Sequence, residues 1–295
     1  MTPTLAFVAC SGSDCVDVLE VPALRVVRRY AAGEKPIVAL PVSEAGALVV
    51  SNQESGDLSV LDPATGAERR RLAAARGTSG LALAAPHHLL FVANEFADSV
   101  MAFDTRDLAP ARTFAPGGGP CMLAVTPDGG RCLVANEVSQ TVTVYDVAAA
   151  ALTASIPIAD GPLGLACTPD GGRALCGSFL SPLLTLVDLA AGRVLRQRRV
   201  GSPHLGVAVL PDGAHALVTN ADADTLAVVR LDDLGPVRTI RVGAGPATLA
   251  PIPGTALVLV TNRTDDSVSL VDLAAGAEVA RSPVGLSPMG IALAS

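Results

Sequence analysis

The chain has 295 residues, of which 50% are hydrophobic and 3% aromatic, and its formal net charge is −7. Nucleic acids and anionic membranes require a basic face, so the acidic balance argues against both as partners. Lys35 is the only lysine and stands in Gly-Glu-Lys-Pro. This excludes a phosphate-binding Gly-Lys-Ser/Thr loop and disfavours lysine Schiff-base chemistry.

The N-terminal segment and the weakly polar stretches predict neither an export signal nor a membrane span. Residues 1–5 lack the basic start and the apolar run of a secretory leader. Residues 148–159 include threonine, serine and proline and are too short for a spanning helix. We therefore expect a cytoplasmic protein. Its six cysteines form no Cys-x-x-Cys pair, and in a reducing compartment they would serve as small apolar side chains.

From the first apolar run, residues 5–9, the chain repeats every 42 residues. Seven such units nearly fill the 295 residues without an insertion. A period of this length is typical of architectures that assemble equivalent structural units. One column of equivalent positions holds Cys10, Asn52, Asn94, Asn136, Ser178, Asn220 and Asn262.

Each unit predicts four short strands separated by turns. In the unit that begins at Gly119, a Pro-Asp-Gly-Gly turn at 127–130 separates the first two apolar runs. The third run alternates between apolar and polar residues, which is typical of a half-buried strand. The predicted strands of this unit span 120–125, 132–135, 142–146 and 152–157. Seven four-stranded antiparallel units predict an all-β fold, a seven-bladed β-propeller formed as one domain by residues 1–295.

The phase of the repeat predicts how the ring closes. The chain begins with a strand of the second type, residues 5–9, and ends with one of the first type, 288–293. We expect residues 286–295 to complete the N-terminal blade, which would leave no unpaired inner edge. An open β-solenoid is the alternative, but it does not explain why the two ends complement each other.

The repeat resembles that of the YVTN family of β-propellers, whose signature is tyrosine-valine-threonine-asparagine. The matching segments are Val92-Ala-Asn94, Val134-Ala-Asn136, Val218-Thr-Asn220 and Leu259-Val-Thr-Asn262, with leucine or phenylalanine in place of the tyrosine. The resemblance covers essentially the whole chain. It implies a propeller related by fold to surface-layer proteins, lactonase-like propellers and haem d1-binding domains, and it implies no single activity.

Positions kept in most units are explained by folding. An asparagine at a strand end can bond its own loop, and it faces a hydroxyl residue five positions on in Asn94/Ser99, Asn136/Thr141 and Asn220/Thr225. In the first unit these two positions are Cys10 and Cys15, between which we expect no disulfide in the cytosol. Cys167 and Cys176 should be cross-strand neighbours packed in the core.

Positions that differ between units are the candidates for function. The loops after the second and fourth strands should surround the mouth of the central channel. Glu95 and Glu137 make one arc acidic, and the next arc, which carries Phe179, is apolar. The candidate ligand-binding residues are Gln53, Ser79, Glu95, Cys121, Met122, Glu137, Phe179, His204, Arg263 and Met289.

Three functions remain open at this point. The first is a monomeric propeller that binds a small, partly cationic or amphipathic molecule, or a protein, without cofactor or metal. The second is a lactonase-like hydrolase or lyase with Glu95, Glu137 and His204 as acid, base or metal ligands. The third is a haem-type cofactor binder that uses His204 and Arg263. The alternative is that none of these residues is functional. The two glutamates would then be ordinary solvated loop charges, and His204 would only fill a position that is proline in five units.

Overall fold

The computed structural model describes residues 4–203 and 205–294. Within these residues, 28 strands form seven four-stranded antiparallel sheets. The strands in chain order are β1 (Thr4–Cys10), β2 (Cys15–Val21), β3 (Arg25–Ala31), β4 (Pro36–Val42), β5 (Ala47–Asn52), β6 (Asp57–Leu61), β7 (Glu68–Ala73), β8 (Thr78–Ala84), β9 (Leu89–Asn94), β10 (Ser99–Asp104), β11 (Pro110–Phe114), β12 (Pro120–Val125), β13 (Arg131–Asn136), β14 (Thr141–Asp146), β15 (Ala151–Pro157), β16 (Pro162–Cys167), β17 (Arg173–Ser178), β18 (Leu183–Asp188), β19 (Arg193–Arg199), β20 (Val207–Val209), β21 (His215–Asn220), β22 (Thr225–Arg230), β23 (Pro236–Arg241), β24 (Pro246–Pro251), β25 (Leu257–Asn262), β26 (Ser267–Asp272), β27 (Ala277–Pro283) and β28 (Pro288–Leu293).

In the described ranges, four 3-10 helices of three residues each lie between strands: η1 (Ser43–Ala45), η2 (Ala85–His87), η3 (Glu95–Ala97) and η4 (Ala221–Ala223). No helix in the described part of the chain is long and apolar enough to cross a membrane.

The first blade is completed by the last strand, as the repeat phase predicts. Its order is β28-β1-β2-β3, whereas the other six blades each use four consecutive strands. Ala6 lies opposite Leu293, and Val8 lies opposite Ile291. The closed seven-bladed propeller is therefore confirmed, and the open solenoid is wrong.

Each interface between neighbouring blades contains one hydrophobic cluster of buried side chains. Between the third and fourth blades, Phe91 and Leu123 are buried in one cluster. The ring of Phe114 contacts Phe91 edge-on at 6.1 Å between centroids and Tyr145 at 4.4 Å. The alternating strands thus bury apolar side chains on both faces of every blade, and the core is a ring of seven sandwiches.

The first strands of the blades contact one another around the central axis. A Cβ atom added at Gly290 would lie 2.5 Å from the carbonyl oxygen of Ile37 in the next blade, and one at Gly80 would lie 2.6 Å from that of Cys121. Because these contacts are to backbone, the positions require glycine. Hydroxyl groups elsewhere donate to carbonyls of the next blade: Ser51 to Ser79 at 2.6 Å, Thr219 to Ala247 at 2.9 Å and Thr261 to Met289 at 2.8 Å.

The asparagine column has the structural role that the sequence predicts. The amide Nδ2 atoms donate to the hydroxyl groups five residues on, at 3.4 Å for Asn94/Ser99, 3.2 Å for Asn136/Thr141 and 3.0 Å for Asn220/Thr225. These side chains lie buried at the strand ends. They pin the loops at the mouth of the channel to their own blades.

All six cysteines are free thiols, but the expected pairing of Cys167 with Cys176 is wrong. Cys167 lies opposite Ala174, and Cys176 lies opposite Leu165. The turn is tighter than expected, because the Thr168 amide bonds to the carbonyl of Arg173 at 2.9 Å. This contact shifts the strand pairing by two residues, so that Cys167 lies opposite residue 174 and not residue 176.

A buried carboxylate fastens the closing blade. Asp17 on β2 has a fully buried side chain and accepts bonds from Arg29 Nε at 2.6 Å and Nη2 at 2.8 Å. Its Oδ2 also accepts the backbone N–H of Gly285 at 2.8 Å, in the loop that enters β28. One side chain therefore links the N-terminal hairpin to the strand that closes the ring.

We predict that Asp17→Ala lowers the free energy of unfolding by about 3 kcal/mol. The substitution leaves the Gly285 amide without its partner and removes the two charge-assisted hydrogen bonds from Arg29. Urea denaturation measures the loss. The control is Glu20→Ala on the same strand, which removes an exposed pair with Arg25 (2.6 Å) and should cost less than about 1 kcal/mol. Equal losses in both variants would show that Asp17 has no special part in closure.

Candidate ligand site at the channel mouth

A cavity of about 340 Å³ opens at one end of the central channel. Two repeat columns line it. The first begins each inner strand: Ile37, Ser79, Cys121, Leu163, Leu205, Ala247 and Met289. The second follows the asparagine column: Ser11, Gln53, Glu95, Glu137, Phe179 and Arg263. Nine of the ten residues proposed from the sequence, Met122 among them, thus line one cavity. The tenth, His204, lies outside the described residues.

A repeated backbone bond positions the residues of the second column. For five of these residues the N–H donates to the carbonyl 18 residues earlier, in the loop that enters the same blade. The donors and acceptors are Gln53 and Lys35 at 3.0 Å, Glu95 and Gly77 at 2.9 Å, Glu137 and Gly119 at 2.8 Å, Phe179 and Gly161 at 2.8 Å, and Arg263 and Gly245 at 2.9 Å. In the first unit the N–H of Ser11 donates at 3.1 Å to the carbonyl of Ser287, in the loop that enters the closing strand. The scaffold is therefore constant while the side chain that it presents varies.

Glu95 is a partly buried carboxylate held by a neighbour. Gln53 Nε2, on the preceding blade, donates to Glu95 Oε2 at 2.9 Å. Burial raises the pKa of Glu95 above its ordinary value, and the charge of Glu137 raises that pKa further. The bond from Gln53 and the charge of Lys35 act in the opposite direction. Protonating this group, or placing a cation beside it, relieves the unfavourable charge.

Sequence reasoning missed Lys35 as a residue of this cavity. It lies in the loop between β3 and β4, and its Nζ is 3.2 Å from Glu54. Its backbone N–H donates to Asp14 at 2.8 Å, which ties the loop to the first blade. Its place after a fourth strand was a usable signal, because such loops were expected on this face.

Cys121, beneath the two glutamates, is a poor nucleophile. Burial, and next the charge of Glu137, raise the pKa of its thiol well above the ordinary value. The thiol lies 3.3 Å from the carbonyl of Ala135 and 3.5 Å from that of Pro162. A protonated thiol in these contacts packs the floor of the cavity and does not attack a substrate.

Arg263 faces the acidic arc from across the channel. It belongs to the seventh blade, and Glu95 and Glu137 belong to the third and fourth. Three blade steps separate Arg263 from either glutamate, so it stands as nearly opposite as a seven-membered ring allows. No described residue forms a hydrogen bond or an ion pair with its side chain. Leu163 and Leu205 line the cavity between the two charged arcs.

Exposed apolar side chains lie beside the mouth on three consecutive blades. Phe96 is 55% exposed, Val138 77% and Leu180 64%. A second, adjoining groove of about 490 Å³ shares Phe179 and Arg263 with the first cavity. Apolar surface thus runs beside the mouth from the third to the fifth blade, and it suits a ligand with an apolar body.

The acid–base or metal set predicted as Glu95, Glu137 and His204 includes a residue that the structure does not describe. Within residues 4–203 and 205–294, no three His, Cys, Asp or Glu side chains are grouped so that they could hold a metal ion. The catalytic hypothesis therefore stays a prediction from the sequence.

No protein-family model and no curated protein matches the chain. Solved structures share its fold at low identity. A hydrazine synthase of Kuenenia stuttgartiensis is 21% identical over 86% of this chain and 88% of that chain, with a TM-score of 0.72. A functionally unknown protein from Desulfotomaculum acetoxidans DSM 771 is 12% identical over 98% of both chains, with a TM-score of 0.85. The dihydro-heme d1 dehydrogenase NirN, in complex with DHE, is 15% identical over 98% of this chain and 74% of that chain, with a TM-score of 0.66. These likenesses support the seven-bladed β-propeller fold and carry no function across.

We predict that two substitutions move the pKa of Glu95 in opposite directions. Glu137→Gln removes a like charge and should lower it, whereas Gln53→Leu removes a bond to the ionised form and should raise it. Carboxyl-carbon NMR titration of the two variants against the parent protein measures both shifts. A shift in the same direction in both variants would contradict the described arrangement.

Proposed function

We propose that the protein binds a small organic cation with an apolar body at the mouth of its channel. One observation carries this proposal: two glutamates on adjacent blades line a cavity of about 340 Å³ whose floor is largely apolar. Ligand pockets in proteins commonly have volumes of about 300–1,000 Å³, so a small molecule fits.

The electrostatics of the acidic arc favour a cation over a neutral ligand. Glu95 is partly buried, and the charge of Glu137 makes its ionisation still less favourable. A cation about 4 Å from one carboxylate gains about 4 kcal/mol at an effective dielectric constant of about 20, before the cost of desolvation. Lys35 is a weaker competitor than its single charge suggests, because Glu54 lies 3.2 Å from it.

The described residues favour binding over catalysis. The Cys121 thiol is protonated at neutral pH, and the sequence contains neither a Gly-x-Ser-x-Gly elbow nor His-Glu-x-x-His. The lactonase-like and haem-type hypotheses both depend on His204, which lies outside the described residues. The enzymes among the structural neighbours resemble this chain in fold alone.

We predict that n-hexylammonium binds at the mouth and that Glu137→Gln weakens this binding about tenfold, because one of two attracting carboxylates is lost. Isothermal titration calorimetry at neutral pH and low salt measures the affinity. The loss should shrink as ionic strength rises, because partly exposed charges are screened.

The matched control is Glu34→Gln, which removes the same charge from an exposed loop residue outside the cavity lining. We expect it to change the affinity less than about twofold. Equal effects of the two variants would mean that only the net charge of the protein matters, and the proposed site would then be wrong.

A further inference from the structure

We propose that the mouth recognises a zwitterion, with its ammonium group at Glu95 and Glu137 and its carboxylate at Arg263. The inference rests on the proposed function and deepens it, because it assigns a second, opposite charge to the ligand. The observations that carry it are the position of Arg263 in the ring, its guanidinium without a partner among residues 4–203 and 205–294, and the apolar floor between the two charged arcs.

The position of Arg263 follows from the repeat. Arg263, Glu95 and Glu137 occupy the same column, so the same backbone bond holds each at the same height of its blade, at 2.9 Å for Arg263 and Glu95 and 2.8 Å for Glu137. All three line one cavity. Arg263 is three blade steps from Glu137 in one direction around the ring and three from Glu95 in the other, so the arginine and the glutamates lie on opposite walls.

The guanidinium of Arg263 is available to a ligand. Other arginines, such as Arg69, Arg71 and Arg281, have carboxylate partners at 2.6 to 3.2 Å. Within the described residues, Arg263 has no such partner, although Asp222 lines the adjoining groove with it. A planar guanidinium binds a carboxylate through two parallel hydrogen bonds. A carboxylate is therefore a better partner for Arg263 than a neutral polar group of the ligand.

The floor between the charged arcs offers few free polar groups. The hydroxyl of Ser79 donates to the carbonyl of Cys121 at 2.8 Å, and that of Thr248 donates to the carbonyl of Met289 at 2.5 Å. Leu163 supplies further apolar surface. The floor therefore favours a ligand whose polar groups are at its two ends. A polar group in the middle of the ligand would lose its hydrogen bonds to water without replacement.

The opposed charges also discriminate against simpler ligands. A bare cation meets attraction at Glu95 and Glu137 but repulsion from Arg263, and a bare anion meets the reverse. A molecule with both charges gains at both walls and is repelled at neither when its ends are correctly spaced. The ligand class is therefore an amino acid whose ammonium and carboxylate groups are separated by an apolar chain.

The test compares ω-amino acids from 4-aminobutyrate to 8-aminooctanoate with primary alkylamines of the same chain length, by calorimetry on the full-length protein. One chain length should bind at least about tenfold more tightly than its amine, the gain expected of one charge-assisted pair. Arg263→Gln should reduce the ratio of the two affinities to about one. Arg241→Gln, at an exposed position on β23, is the charge-matched control and should leave the ratio as it is. Thermal melts of both variants verify folding.

The outcomes separate the two proposals. Amines that bind with a dependence on Glu137, but with no gain from a carboxylate at any chain length, overturn the zwitterion and leave the cation site standing. A gain that survives Arg263→Gln also overturns the zwitterion as assigned here. Failure of both ligand series to bind the parent protein overturns the proposed function itself.

Discussion

The close approach of the first strands around the axis is the constraint on which the whole molecule depends. At Gly80, Gly206 and Gly290, a side chain would meet the backbone of the next blade at 2.5 to 2.6 Å. These contacts set the width of the ring, and the interblade clusters then fill the widening space between the sheets. Because the inner strands are fixed so tightly, the residues at their beginnings converge on one cavity whatever their chemistry.

The sequence predicts the fold well because the repeat has no insertions and its turns are marked by proline, aspartate and glycine. The asparagine column marks where the second strand of each unit ends. The closing strand β28 is located because the chain begins with a strand of the second type and ends with one of the first type. The register of the Cys167 hairpin could not be derived in this way. It depends on whether Thr168 belongs to the strand or to the turn, and that is settled by two hydrogen bonds, from the Thr168 amide to Arg173 and from the Gly171 amide to Thr168, both at 2.9 Å.

The candidate site could be located from the sequence but not characterised by it. Equivalent positions in a ring face the same axis, so Glu95, Glu137 and Arg263 could be grouped by counting alone. The hydrogen bond from Gln53 to Glu95 could not be predicted by counting, because it joins side chains of two blades and depends on their rotamers. The same holds for Lys35, whose backbone belongs to a loop tied across a blade boundary to Asp14.

The apolar arc of the mouth lies on the fifth unit, whose loop departs from the path that the other units share. Six units place a residue with positive φ at one loop position: Asp14, Gly56, Asp98, Gln140, Asp224 and Asp266. The fifth unit has Pro182 there, and the proline ring restricts φ to about −65°, so this loop cannot take the same path. The same unit has Ser178 instead of asparagine and Leu183 instead of a polar partner. Phe179 and Leu180 are displayed on this divergent loop, next to the fourth blade's Glu137. The fifth blade thus differs from the other blades in its loop path and in the side chains it presents, and a ring of similar blades acquires a mouth with distinct sides.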